Sequence, residues 1–395
     1  MNQPSLSQRV QRVKPSPTLA VTARAAELRA AGQDIIGLGA GEPDFETPDH
    51  IKQAAIEAIR DGRATRYTAV DGTAGLKQAI IDKFRRDNAL DFAPEQILVS
   101  CGGKQSFYNL CQALLNPGDE VIIPAPYWVS YPDMVRLADG EPVVIHAGLE
   151  QRFKIRPEQL AAAITPRTRL MVLNSPSNPT GVAYERAELE ALAEVLRQHP
   201  QVMVATDDMY EHILWTREPF VNIVNAAPDL LDRAIVLNGV SKAYAMTGWR
   251  IGYAGGPNTL IQAMKKIQSQ STSNPAAVSQ AAAQAALEGD QACIEPMLAA
   301  FRERHAFVVE ALNALDGVQC AEADGTFYAF PDFGTVIERM NGIEDDVQLA
   351  EHLLNRAGVA LVPGSAFGAP GHLRLSFATG LDTLRDALAR IADAL

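Results

Sequence analysis

Residues 240–257 read VSKAYAMTGWRIGYAGGP, and Asn238 and Gly239 separate them from the apolar segment 234–237, AIVL. An apolar run of this kind predicts a buried parallel strand. A second run, IGYA at 251–254, also predicts a strand. Lys242 therefore lies on a short polar connection between two segments that favour the interior. Such a lysine is either an exposed surface residue or an amine held in a cleft, and composition alone favours the surface.

The residues around Lys242 favour the cleft. Gly248 and Gly252 allow close approach of the backbone, and Arg250 adds a permanent cation a few residues away. A neighbouring cation and partial burial both lower the pKa of an amine, and a neutral amine is a nucleophile. The stretch therefore predicts a reactive lysine.

This stretch resembles the cofactor-lysine segment of class I aminotransferases, the pyridoxal-phosphate enzymes of fold type I. The resemblance extends through nearly the whole chain and is closest to the bacterial and plant aspartate aminotransferases, some of which also transaminate prephenate. It implies an α/β fold, in which helices flank a mainly parallel mixed sheet in a large domain at 48–290. A smaller α/β domain is expected from 1–47 and 291–395, with a strand at 318–323. The resemblance also implies a homodimer with shared active sites.

Composition narrows the class of protein. The chain has 395 residues, 47% hydrophobic and 21% charged, which is typical of globular proteins. A net charge of −12 without a basic segment argues against nucleic-acid binding. No apolar run approaches the roughly 20 residues of a membrane span, and the first residues lack a signal core. Four cysteines without CxxC spacing indicate a reducing cytoplasm, and no metal site is expected.

Several candidate residues follow predicted strands. Each has a plainer explanation: the glycine as part of a turn, the tryptophan at an interface, the asparagine in a rigid loop, the aspartate as a helix cap and the lysine at the surface. In an open α/β sheet, however, ligands bind at the carboxyl ends of the strands, so their common position predicts one site. These residues are Gly103, Trp128, Asn178, Asp207 and Lys242.

The resemblance assigns cofactor roles to these positions. It implies that pyridoxal 5′-phosphate is attached covalently to Lys242, that Asp207 keeps the ring nitrogen protonated, and that Trp128 stacks on the ring. Asn178 and Tyr210 would contact the phenolic oxygen of the cofactor. The residues assigned to the phosphate are Gly103, Ser241, Arg250 and the partner subunit's Tyr67, and Lys104 is also expected among the cofactor-binding residues.

Substrate contacts are predicted in three places. Arg374 alternates with apolar residues in the strand-like segment 372–376, so it faces inward and needs an anion, either a structural carboxylate or a ligand. The resemblance assigns it to the substrate α-carboxylate, bound by two donors. Gly41, in the loop GEPDF at 41–45, borders the substrate by the same resemblance. The distal carboxylate of a dicarboxylic substrate is assigned to Lys104, with hydroxyl donors from Ser16 or Thr18.

The expected mechanism is transamination, in which Lys242 takes a proton from the substrate Cα and returns it to the cofactor. The expected substrates are aspartate or glutamate with their oxo acids, and also prephenate. Alternatives are an aminotransferase of aromatic or neutral amino acids and another pyridoxal-phosphate reaction, such as that of a lyase. A regulator built on the fold would need a DNA-binding module, for which the chain has neither the length nor the charge. A plain binding protein would not need Lys242 and Asp207 together.

Overall fold

The structure is a computed structural model, and it describes residues 4–395. The strands are β1 Ile36–Gly37, β2 Ile97–Ser100, β3 Glu120–Ala125, β4 Glu141–His146, β5 Thr168–Asn174, β6 Met203–Asp207, β7 Ala234–Gly239, β8 Gly252–Gly255, β9 Tyr328–Ala329, β10 Val359–Ala360, β11 Val362–Pro363 and β12 Leu373–Ser376. The α-helices are α1 Gln8–Gln11, α2 Pro17–Ala30, α3 Asp49–Arg60, α4 Ala74–Asn88, α5 Gly103–Leu114, α6 Tyr131–Leu137, α7 Pro157–Ala163, α8 Arg186–Arg197, α9 Ile223–Ala226, α10 Asn258–Ser271, α11 Ala277–Glu288, α12 Glu295–Asn313, α13 Gly334–Arg339, α14 Asp346–Arg356 and α15 Leu381–Ala394.

A seven-stranded mixed sheet with the order β2-β8-β7-β6-β5-β3-β4 forms the centre of the fold. Only β8 runs against the other strands of this sheet, because it pairs antiparallel with both β2 and β7. The remaining pairs are parallel. The predicted α/β fold with a mainly parallel mixed sheet is confirmed.

Both faces of this sheet are buried, which explains why its strands are continuous apolar runs. Successive residues of β7 alternate between two apolar cores: Val236 packs into one, and Ile235 and Leu237 pack into the other. Helices cover the two faces, with α10 packed on α5 and α11 packed on α3 and α4. The sheet is therefore a rigid platform whose strand ends project a fixed set of loops.

Glycines at the end of β2 and the start of β8 let two backbones meet. A side-chain carbon on Gly252 would collide with the backbone of Gly102 and Gly103. Gly102 itself has φ +88°, a conformation that glycine adopts without strain. The amino end of α5 is thereby held against β8, next to the segment that carries Lys242.

Two small sheets are built from the ends of the chain. In one, β1 pairs in parallel with β10, and in the other, β12 lies between β11 and β9 in antiparallel pairs. The prediction of a strand at 318–323 is wrong, because this segment makes only an isolated bridge between Gln319 and Asp332. Across residues 4–395, no helix is both long and apolar enough to cross a membrane.

Candidate active site

A cavity of about 410 Å³ lies at the carboxyl ends of the parallel strands. Segments from the N-terminal region to β12 contribute to its wall. The residues predicted from the sequence that line it are Ser16, Thr18, Gly41, Gly103, Lys104, Trp128, Asn178, Asp207, Tyr210, Ser241, Lys242, Arg250 and Arg374. Tyr67 is not among the residues that line this cavity in the single chain, and it is 93% exposed.

Lys242 sits three residues beyond β7, and its ammonium group points into the cavity. Its Nζ donates a hydrogen bond of 2.5 Å to the backbone oxygen of Gly41. Burial first, and then the charges of Arg374 and Arg250, lower the pKa of Lys242 to about 8. A considerable neutral fraction is therefore present near neutral pH, as a nucleophile or proton acceptor requires.

Asp207 ends β6 and is held by two hydrogen bonds. The hydroxyl of Tyr131 donates to Oδ2 at 2.5 Å, and the backbone N–H of Met209 donates to Oδ1 at 3.3 Å. Burial raises the pKa of Asp207, while the bond from Tyr131 lowers it. A carboxylate fixed in this way is suited to pair with a protonated ring nitrogen.

Arg374 in β12 is a buried cation, 2% exposed, and it is held by neutral groups. Its Nη1 donates to Asn178 Oδ1 and its Nη2 donates to the backbone oxygen of Gly39, both at 2.8 Å. Its Nε is buried without a hydrogen-bond partner, and within residues 4–395 no carboxylate lies within ion-pair distance of it. Burial lowers the pKa of Arg374, but a guanidinium remains charged at neutral pH. The structure therefore presents a receptor for an anion at this end of the cavity.

Another part of the cavity wall favours an anion such as phosphate. The twelve-residue helix α5 directs its amino end, at Gly103, toward this wall, where the helix dipole and free N–H groups favour an anion. The Arg250 guanidinium lies against Gly102 so closely that a side-chain carbon there would collide with it. The hydroxyl of Ser241 completes this part of the wall.

Lys104 provides a second cation on the wall. Its Nζ donates to Ser130 Oγ at 3.1 Å and lies 5.0 Å from the ring centre of Trp128. Desolvation, and then the charge of Arg250, lower the pKa of Lys104. In the N-terminal segment, Ser16 and Thr18 line the same cavity, and the Thr18 Oγ1 is buried without a hydrogen-bond partner among the described residues.

Several lining residues escaped the sequence-based prediction. Glu42 accepts a hydrogen bond of 2.9 Å from Thr247 Oγ1, and Tyr328 places its hydroxyl 3.0 Å from that of Tyr210. Glu42 follows Gly41 in a loop that the sequence did single out, so proximity could have suggested it. Tyr328 lies in a short apolar segment, and nothing in its neighbourhood along the sequence points to a site.

A buried polar cluster lies behind the loop that carries Asp207 and Tyr210. Glu211 pairs with Lys83, which is 1% exposed, and also accepts hydrogen bonds from Asn88 and Asn238. The carboxylate of Asp87 is 3.7 Å from Lys83 Nζ. Carboxylate oxygens of this kind attract metal ions, but here the ammonium group of Lys83 supplies the cation.

Comparisons with known proteins agree with this geometry. The family model for "Aminotransferase class I and II" matches residues 33–391. An aspartate/prephenate aminotransferase of Nitrosomonas europaea is 62% identical over 395 residues, which is 99% of each chain. A second aspartate/prephenate aminotransferase, from Cereibacter sphaeroides, is 56% identical and covers 98% of this chain and 97% of its own length.

Solved structures give the same result. The aspartate aminotransferase of Rhizobium meliloti superposes with a TM-score of 0.95 at 48% identity, covering 100% of this chain and 99% of its own. The aspartate aminotransferase of Thermus thermophilus with maleate superposes with a TM-score of 0.94 at 44% identity, over the full length of both chains.

Proposed function

The chain belongs to the class I and II aminotransferases, and from this we propose that it moves an amino group between L-aspartate or L-glutamate and a 2-oxo acid, with prephenate as a further acceptor. One observation carries the proposal: the cavity contains a buried arginine that has no counter-ion among residues 4–395, and a second cation on the wall. A dicarboxylic substrate would neutralise both. The names of the relatives, which include aspartate and prephenate, support this choice of substrates.

Pyridoxal 5′-phosphate fits the residues of the cavity. Lys242 offers an amine for covalent attachment, and Asp207 offers a fixed carboxylate for the ring nitrogen. Arg250, Ser241 and the amino end of α5 at Gly103 offer positive charge and donors for a phosphate group. When bound, this cofactor supplies an acceptor for the electron pair released at the substrate Cα.

Three groups of the chain perform the remaining steps. Arg374 binds the α-carboxylate with donors that are free in the single chain, Nε among them, and so fixes Cα in the cavity. Lys104 binds the distal carboxylate, aided by the hydroxyl of Ser16 or Thr18. The neutral amine of Lys242 takes the proton from Cα at Nζ and later returns it, while the backbone oxygen of Gly41 orients that nitrogen.

Further contacts of the same site belong to this proposal. Trp128 would stack on the cofactor ring, and Asn178 and Tyr210 would bind its phenolic oxygen. Asn178 already accepts a bond from Arg374 through Oδ1, which leaves its NH₂ group as the donor. The phenol of Tyr210 is buried, and burial raises its pKa, so it remains a donor at neutral pH.

We also propose that the active unit is a homodimer. Tyr67 carries a large apolar ring that is 93% exposed, and it would contribute to the cofactor site across the subunit interface. The large domain is assigned to 48–290 and the small domain to 1–47 and 291–395. The four cysteines are unpaired in the described chain, which supports a cytoplasmic location.

The experiment is a nitrogen-transfer assay with purified protein. With ¹⁵N-aspartate and 2-oxoglutarate, the label should appear in glutamate, and Lys242→Ala should abolish transfer, whereas Lys266→Ala, on the exposed face of α10, should not. Replacing 2-oxoglutarate by prephenate tests the further acceptor. Release of an oxo acid and ammonia without any acceptor would identify a lyase, and transfer from alanine or phenylalanine but not from aspartate would refute the dicarboxylic substrate.

A further inference from the structure

Tyr328 contacts both Arg374 and Tyr210 in the proposed site. It begins β9, is fully buried and lines the cavity. A side-chain carbon on Gly41 would come within 3.0 Å of its hydroxyl. Gly41 is also the residue whose backbone oxygen accepts the bond from Lys242. Tyr328 therefore lies between the reactive lysine and the buried arginine.

The ring of Tyr328 supports Arg374. The guanidinium carbon of Arg374 lies 4.4 Å from the centre of this ring, and the ring of Phe367 is 5.0 Å from the same carbon. A guanidinium this close to aromatic rings is held by cation–π attraction, which is strongest where water is excluded. The two rings thus fix the plane of the guanidinium while leaving Nε without a partner.

The hydroxyl of Tyr328 acts on a different residue. It lies 3.0 Å from the hydroxyl of Tyr210, and either group could be the donor. Each phenol has one proton, so Tyr210 can donate to a ligand only if Tyr328 donates to the Tyr210 oxygen. Burial raises the pKa of both phenols, and the charge of Arg374 lowers both, but the pKa of Tyr210 is raised further. Tyr328 is therefore the more acidic phenol and the better donor of the pair. Hydrogen bonds in such a chain polarise one another.

We propose that Tyr328 is a positioning residue that joins carboxylate recognition to cofactor binding: its ring holds Arg374 and its hydroxyl directs the proton of Tyr210 toward the cofactor. The inference rests on the proposed function, because it takes the ligand of Tyr210 to be the phenolic oxygen of the cofactor. It predicts that removing the hydroxyl alone affects the cofactor, and that removing the ring as well also weakens carboxylate binding.

The test uses Tyr328→Phe, which keeps the ring, and Tyr328→Leu, which removes both groups. The control is Tyr184→Phe, which deletes another buried tyrosine hydroxyl, one that accepts a bond of 2.9 Å from the Ile155 N–H. Two properties of the cofactor-loaded protein are measured. They are the pH midpoint of the absorbance change of the Lys242-bound cofactor and the dissociation constant of succinate, a dicarboxylate that cannot react.

Tyr328→Phe should raise the pH midpoint by roughly 0.4 to 1, because a weaker donor at the phenolic oxygen disfavours the more negative form of the cofactor. Its affinity for succinate should stay within about twofold of wild type, because the ring remains. Tyr328→Leu should show the same midpoint shift and bind succinate roughly 30-fold more weakly. Tyr184→Phe should change neither property. If Tyr328→Leu fails to fold, Tyr328→Met replaces it as the ringless variant.

Three results would overturn the inference: a wild-type midpoint in Tyr328→Phe, wild-type succinate affinity in the ringless variant, or equal shifts in Tyr184→Phe. Failure of the proposed function looks different. In that case wild-type protein would neither retain the cofactor at Lys242 nor transfer nitrogen from aspartate, and both conclusions would fall together. If wild-type protein retains the cofactor and transfers nitrogen, but the Tyr328 variants keep the wild-type midpoint and succinate affinity, only the inference about Tyr328 is refuted.

Discussion

Replacing Lys104 by methionine should weaken the reaction of dicarboxylic substrates selectively. Methionine keeps an unbranched apolar side chain and removes only the charged group. In the structure that group lies 3.1 Å from Ser130 Oγ and 5.0 Å from the Trp128 ring centre, on the wall of the cavity. The packing of the stem should therefore survive while the cation for the distal carboxylate is lost.

The magnitude follows from the bond that disappears. A hydrogen bond between charged groups contributes about 1.5–3 kcal/mol, or roughly one to two decades in kcat/KM. Lys104 is exposed overall, so solvent screens its charge and the lower end is expected, roughly tenfold. Desolvation and the charge of Arg250 lower the pKa of Lys104, so its ammonium loses protons at lower pH than a free lysine. The preference for aspartate should accordingly weaken as the pH rises.

The assay measures kcat/KM for aspartate, alanine and phenylalanine with wild type, Lys104→Met and the surface control Lys266→Met. The kcat/KM for aspartate should fall about tenfold in Lys104→Met and not in Lys266→Met. The kcat/KM for alanine and for phenylalanine should change by less than about twofold in both variants. Ser130→Ala, which removes only the group that orients Lys104, should show the same pattern with a smaller loss. Equal losses for acidic and neutral substrates would refute the reasoning and make Lys104 a structural residue.

Three other outcomes are expected. Because the pKa of Lys242 is lowered to about 8, the apo-protein should take up cofactor faster as the pH rises through about 8. Borohydride should then fix the cofactor on Lys242. A label on another lysine would contradict the assignment. Mixed Tyr67→Phe and Lys242→Ala subunits should regain one intact site per hybrid dimer, whereas simple addition of the two parents' activities would indicate unshared sites. Lys83→Met should lower the free energy of unfolding in urea by about 3–5 kcal/mol, because the buried carboxylate of Glu211 loses its ion-pair partner. Adding Glu211→Gln should recover part of this loss. If the losses of the two single variants simply add in the double variant, the pairing is contradicted.

The sequence predicts those parts of the fold that depend on local patterns. The apolar runs at 234–237 and 251–254 correspond to β7 and β8, because a continuous apolar run is a local signal. The strand predicted at 318–323 does not form, because pairing in this segment is limited to one bridge between Gln319 and Asp332. Pairing is a property of the whole fold.

Residues of the site could be predicted where they follow strands, since the carboxyl ends of parallel strands share one edge. The contacts between them could not. Arg374 meets Asn178 across 196 residues and Lys242 meets Gly41 across 201, and no periodicity carries information over such separations. The absence of a carboxylate beside Arg374, within the described chain, likewise becomes visible only when its surroundings are assembled.

The charge of the cavity is opposite to that of the chain, and this contrast governs which ligands it favours. The chain carries a net charge of −12, so its surface repels anions at distances shorter than the screening length. The cavity wall carries two carboxylates, Glu42 and Asp207, against four cationic side chains: Lys104, Lys242, Arg250 and Arg374. If Arg250 serves the cofactor phosphate and Lys242 the covalent link, two cations remain for the substrate. A monocarboxylate would then pair with the buried Arg374, where an unmatched charge costs most, and leave the more exposed Lys104 to water. Discrimination between dicarboxylic and neutral amino acids should therefore be moderate and should arise mainly at Lys104.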